Sequence, residues 1–313
     1  MPFTILIVGA CGQIGSELTL ALRQIYGKDA IVASDIKRPT SLELSSGPFE
    51  LLDATDLNQF KAVVTKHSIH TVYMMAAMLS GTAEKFPQKG WDLNMSSLFN
   101  VLELGKENYI QKIFWPSSIA VFGPSTPKLN TPQHCVMEPT TVYGISKQAG
   151  ERWCAYYHKR YGVDVRSLRY PGLISYKTPP GGGTTDYAIE IFHEALKTGT
   201  YTSYLSADTV LPMLYMDDAI RATVSIMEAP AEAIQVRSSY NISGVSFTPE
   251  ELSAELKVHL PHFSMDYATD FRDHIANSWP DSIDDTEAKT DWGWQHEYDL
   301  KAIVKYMLEG VRS

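Results

Sequence analysis

The stretch "FTILIVGACGQIGSELTLALRQIYGKDAIVASDIK", residues 3–37, decides the fold. It opens on a short apolar run, Phe3 to Val8, of the kind presented by a strand buried on both faces. Gly9, Gly12 and Gly15 follow at GxxGxxG spacing, with Gln13 and Ile14 inside the turn. Ile14, Leu18, Ala21, Leu22 and Ile25 then recur at helical spacing, and Ala30 to Ser34 reads as a second strand ending at Asp35. Strand, glycine turn, helix, strand and acid form the dinucleotide-binding arrangement. The first glycine makes the tight turn, the second lets backbone approach a pyrophosphate, and the third lets the helix pack against the sheet. Asp35 stands 20 residues beyond Gly15. There it would accept hydrogen bonds from a ribose 2′-hydroxyl and repel a 2′-phosphate, which favours NAD over NADP. Lys37 and Arg38 read as exposed basic side chains.

Outward from this unit, strand-like runs recur at 49–53, 71–77, 112–118 and 164–170, with helical patterns at 56–67, 91–107 and 143–161. Such alternation predicts an α/β fold: a Rossmann-type doubly wound parallel sheet with a smaller α/β C-terminal lobe. The expected NAD-binding domain is 1–171 with returning segments at about 211–244, and the substrate lobe is about 172–210 plus 245–313. Ligands of such sheets lie beyond the carboxyl ends of the strands, where Asp53, Ala76, Ala77, Ser117 and Ser118 fall.

Tyr143 and Lys147 in "TVYGISKQAGERW" are four apart and share a helix face. A lysine cation near a phenol favours the phenolate and brings it towards the range useful for proton abstraction. Together, GACGQIG, PSSIAVFG and YGISK resemble the extended short-chain dehydrogenase/reductase superfamily. That resemblance implies Tyr143 as catalytic base, Lys147 as its partner and nicotinamide-ribose ligand, and Ser118, with Ser117 beside it, as the hydroxyl on the substrate oxygen. It implies Leu52 and Asp53 at the adenine, and Ala76 and Ala77 lining the cofactor. Tyr170 and Asn94 complete its cofactor set, although "NMSSLFN" lacks the Gly-Thr usual after that asparagine.

Sugar-nucleotide epimerases and reductases share these features, but they need cations for two phosphates. Between Pro171 and Tyr215 the chain offers only Lys177 and Lys197 and no arginine. The segments "RYPGLIS", "PPGGGTTDYAIEIFHEAL", "LPMLYMDDAIRAT", "YNISGVSFTPEEL" and "SWPDSIDDTEAKTDWGW" closely resemble the short-chain type L-threonine 3-dehydrogenase family. The resemblance implies NAD-dependent oxidation of the threonine C3 hydroxyl to 2-amino-3-oxobutyrate, and a homodimer paired through two helices per subunit. Threonine is small and zwitterionic, so backbone N–H groups at a helix start could hold its carboxylate. Gly183, Thr184 and Thr185 precede such a start, with Thr184 or Thr185 as the expected N-cap. Ser80 and Gly81 would face the same cleft, and Trp279 would close over it. A sugar-nucleotide enzyme and a non-catalytic NAD sensor are the competing readings; the sensor usually lacks the Tyr or the Lys.

Composition bounds the rest. The formal charge is −9, and no basic stretch is longer than Lys37–Arg38, which argues against a nucleic-acid surface. No apolar run reaches membrane-spanning length. Cys11, Cys135 and Cys154 fit neither a disulfide framework nor a zinc site. No metal is expected at "DSIDDTE", which reads as a solvated turn. A cytoplasmic location is expected, or a mitochondrial matrix one if a presequence has been removed.

Overall fold

The structure, a computed structural model, describes residues 4–178, 181 and 183–312. Phe3, expected in the first strand, and Pro179, Pro180 and Gly182 of the glycine-rich loop lie outside the described residues. The strands are β1 (Ile5–Val8), β2 (Ile31–Asp35), β3 (Phe49–Leu51), β4 (Thr71–Met74), β5 (Lys112–Phe114), β6 (Ser117–Ser118), β7 (Asp164–Arg166), β8 (Leu168–Tyr170) and β9 (Gly172–Ile174). The helices up to this point are α1 (Gln13–Tyr26), α2 (Leu42–Ser45), α3 (Leu57–Lys66), α4 (Ser80–Lys85), α5 (Pro87–Lys106) and α6 (Val142–Tyr161). A six-stranded parallel sheet runs in the order β3-β2-β1-β4-β5-β7. β1 and β4 are buried along their whole length, as expected for strands covered on both faces.

Two stretches that read as single strands are split. Residues 112–118 break at Trp115 and Pro116, and residues 164–170 break at Ser167. Proline has no N–H to donate to a ladder, so the sheet ends there. The continuations, β6 and β8, pair with each other instead, with Ser117 opposite Arg169 and Ser118 opposite Tyr170. This change of sheet carries the serine pair to the mouth of the cleft.

Beyond them lie α7 (Tyr187–Thr198), β10 (Thr200–Ser203), β11 (Leu211–Tyr215), α8 (Met216–Glu228), β12 (Tyr240–Asn241), β13 (Val245–Phe247), α9 (Pro249–His259), β14 (Ser264–Tyr267), α10 (Phe271–Ala276), α11 (Thr286–Trp292) and α12 (Leu300–Arg312). Tyr187 to Leu205 and Phe247 to Leu308 contribute to one apolar core, while the sheet faces form two others. β11 serves both sides. Leu211, Met213 and Tyr215 enter the C-terminal core, and Leu214 enters a sheet core, because successive strand side chains point oppositely. Among the described residues, no helix is long and apolar enough to cross a membrane.

Candidate active site

A cavity of about 140 Å³ lies where the glycine turn, β6, α6 and the approach to α7 converge. Tyr143 reaches it from the first turn of α6. That helix starts because Thr141 caps it, its hydroxyl accepting from Gly144 N at 3.0 Å. Glu84 of α4 also accepts from Val142 N, at 2.7 Å. Burial pushes the Tyr143 phenol up to about 12, and a hydrogen bond with Ser118 pulls it back. Ser118 Oγ also accepts from Ala120 N at 3.2 Å, which fixes the hydroxyl at the cleft. Lys147 is buried. Its Nζ donates to Pro116 O at 2.5 Å and stands 4.4 Å from the Trp115 ring centroid and 5.5 Å from that of Tyr143. Burial pushes this lysine down to about 7, opposed by Cys154 and Glu151. The simple expectation that a lysine cation lowers the phenol is therefore incomplete here: burial acts on both groups, raises the phenol and lowers the lysine, and so disfavours the charged form of each.

Ser117 departs from expectation. It borders the cavity, but its hydroxyl donates to the buried carboxylate of Glu151 at 2.7 Å. Alternation along β6 sends the two serine hydroxyls to opposite sides, so Ser118 is the one that meets Tyr143. The N-cap of α7 departs too. It is Asp186, not Thr184 or Thr185, and its carboxylate accepts from Gly183 N at 2.8 Å. The Gly183 N–H expected to hold a substrate carboxylate is thus already engaged by an anion from its own loop. Thr184, Thr185, Asp186, Ser80 and Trp279 border the cavity, together with Tyr170, whose hydroxyl pairs with Thr223. Gly81, the second residue of α4, lines neither this cavity nor the adjoining one.

The adjoining cavity, about 250 Å³, is lined by Gly9, Gly12, Asp35, Leu52, Asp53, Ala76 and Ala77, with Cys11, Met75 and Leu93. Gly9 adopts φ of +88°, and a Cβ there would lie 2.6 Å from Ala76 N. A Cβ on Gly15 would lie 2.2 Å from Gly9 O. The turn therefore tolerates no side chain at either position. Asp35 Oδ2 accepts from Cys11 N at 2.9 Å, which locks the acid to the turn.

Residues 5–243 match the model described as the NAD dependent epimerase/dehydratase family. The chain belongs to this family. Among solved structures, it is 57% identical to a partial-consensus L-threonine 3-dehydrogenase over 99% of both chains, with a TM-score of 0.97. It is 56% identical to the holo form of an L-threonine dehydrogenase from Cupriavidus necator, covering 98% of this chain and 99% of that one, with a TM-score of 0.95. An uncharacterized epimerase/dehydratase of Staphylococcus haemolyticus is 48% identical, over 99% of this chain and 98% of that protein. A monomeric L-threonine 3-dehydrogenase from a metagenome is 46% identical with a TM-score of 0.95, covering 99% of each chain.

The cofactor of the family, NAD, fits the residues present. α1 begins at Gln13 with no side-chain cap and no acid in its first turn, so its open N–H groups and dipole are left for a pyrophosphate. Gln13 Nε2 is buried without a partner, a donor awaiting an acceptor. Of the expected cofactor set, Asn94 stands apart. Its amide accepts from Met78 N at 2.8 Å and donates to Met78 O and to Ser146 Oγ, both at 3.2 Å, which ties the β4–α4 connection to α6. It braces the cleft rather than lining it. Sequence reasoning also missed Asp186 and Glu151. Asp186 could have been found as the acid directly after "TT"; Glu151 shows only as one more acid on a helix.

Proposed function

We propose that the chain oxidises the C3 hydroxyl of L-threonine to 2-amino-3-oxobutyrate with NAD, with Tyr143 as the base. One observation carries the reading: the catalytic cleft, at about 140 Å³, suits a small zwitterion and, among its described lining residues, holds no cation besides Lys147. A nucleotide sugar needs more room and more positive charge. In this reading Asp186, which borders the cleft, would pair with the substrate ammonium, and Ser80, Thr184 and Thr185 would offer hydroxyls to its carboxylate. NAD, when bound, supplies the hydride acceptor. Tyr143, as phenolate, takes the hydroxyl proton as the C3–H bond gives up its hydride and C3=O forms. Ser118 donates to that oxygen, and Lys147 stabilises the phenolate.

The geometry supports a homodimer through α5 and α6. Trp91, Ile145, Trp153 and Tyr156 are large side chains left substantially exposed on these two helices. The monomeric relative makes the solution state a direct question.

The test follows NADH absorbance with L-threonine, L-allo-threonine, L-serine and UDP-glucose in turn. NAD reduction with L-threonine well above the others is expected. Silence with L-threonine and binding of UDP-glucose would transfer the chain to the sugar-nucleotide reading.

A further inference from the structure

We propose that Glu151, which lines neither cavity, is a positioning residue for the Tyr143–Lys147 pair, holding Ser117 in place and supplying the negative charge that faces Lys147. The inference rests on the reading of Tyr143 as base. Residues 143, 147 and 151 lie one helical turn apart on α6. Each holds one of three consecutive residues at the sheet's broken end: Lys147 takes Pro116 O, Glu151 takes the Ser117 hydroxyl, and Tyr143 bonds the Ser118 hydroxyl. The segment 116–118 is thereby fixed against one face of the catalytic helix, and the direction of the Ser118 hydroxyl follows.

Glu151 is fully buried, and its anion is sustained by Arg169, which donates to it from Nε at 2.8 Å and from its terminal nitrogen at 2.7 Å. Arg169 is held in turn by Gln133 O and Asn241 Oδ1, each at 3.0 Å. Several groups face Lys147 or its surroundings: Tyr143, Glu151 and Cys154 from α6, the Trp115 ring from the β5–β6 connection, and Arg169 beyond Glu151 from β8. Burial disfavours the Lys147 ammonium, and Cys154 and Glu151 oppose it. Burial also pushes the Cys154 thiol far up, so Cys154 is neutral and Glu151 is the anion of this group.

The sign of the effect is fixed. Glu151→Gln keeps the shape and an acceptor for Ser117 but removes the charge, and it leaves the Arg169 cation unneutralised. The Lys147 ammonium is then less favoured, its titration moves down, and the phenolate loses its cation. The rising limb of kcat with pH should move up by about one unit, which is about tenfold in rate at a pH below the limb. The KM for threonine should hold, and the rates should converge at high pH. A purely structural role would instead lower the rate evenly across pH and leave the limb in place.

The experiment pairs that profile with the Lys147 Cε signal of the full chain labelled with carbon-13 lysine, without substrate, assigned by its loss in Lys147→Met. The signal should titrate near neutrality in the wild type and about one unit lower in Glu151→Gln. An unmoved signal and limb would overturn the proposal. If Glu151→Gln does not fold, Ser117→Ala decides. It spares the ion pair and, read well below its melting temperature, should lower kcat about threefold or more; wild-type kcat there overturns the proposal. A wild type inert towards threonine whose Lys147 signal still follows Glu151 would sink the reading of substrate alone and support the link.

Discussion

At the scale of single residues, the site is a contest between burial and hydrogen bonding. Tyr143 is pushed up to about 12 and Lys147 down to about 7, both chiefly by burial. A tyrosine that must be a phenolate works better as pH rises, so turnover should climb on the alkaline side, and a rate falling from pH 7 to 9 would contradict Tyr143 as base. Tyr143→Phe removes the proton acceptor but little volume. It should cost about 10²–10⁴-fold in kcat with NAD affinity kept, read by steady-state kinetics and by titration of cofactor binding. Near-normal turnover in that variant would remove Tyr143 from the mechanism. Ser118 and Ser117 show how one residue of register separates a hydroxyl on Tyr143 from one on Glu151.

At the scale of elements, α6 is the part whose placement sets Tyr143 and Lys147 at the cavity. Its start is set by Thr141, whose hydroxyl takes Gly144 N, and by Glu84, whose carboxylate takes Val142 N next to Tyr143. Thr141→Ala should cost about 1 kcal/mol of stability, measured by denaturant unfolding. It should also raise the rate loss on heating, because the first turn carries Tyr143, the proposed base. An unchanged midpoint would show that Glu84 and packing suffice to start the helix. The glycine turn is a second such element: Gly9 and Gly15 are fixed by close backbone contact, which is why their spacing could be read without any structure.

At the scale of the whole molecule, α5 and α6 pack on each other and on the sheet, yet Trp91, Ile145, Trp153 and Tyr156 remain well exposed. If a second copy covers this face, sedimentation should give twice the 35.0 kDa chain mass, and Trp153→Glu should shift it towards the monomer with the catalytic cleft intact. A wild type that sediments as a monomer at micromolar concentration would place this chain with its monomeric relative.

The sequence by itself determined the βαβ unit, the parallel sheet, the acid at the end of the second strand and the Tyr143–Lys147 spacing. All of these are local: they depend on period, turn chemistry and a helix pitch that places residues four apart on one face. Only the tertiary structure decided that Ser117 turns inward, that Asp186 rather than a threonine stands at the start of α7, that Asn94 braces the cleft, and that Glu151 lies behind the Tyr143–Lys147 pair. Each of these depends on contacts between segments distant in the chain, such as Glu151 with Arg169 across the switch from one sheet to another. The physical reason is that a side chain's partner is chosen by burial: a polar group leaving water must take whichever partner the packed fold brings within reach.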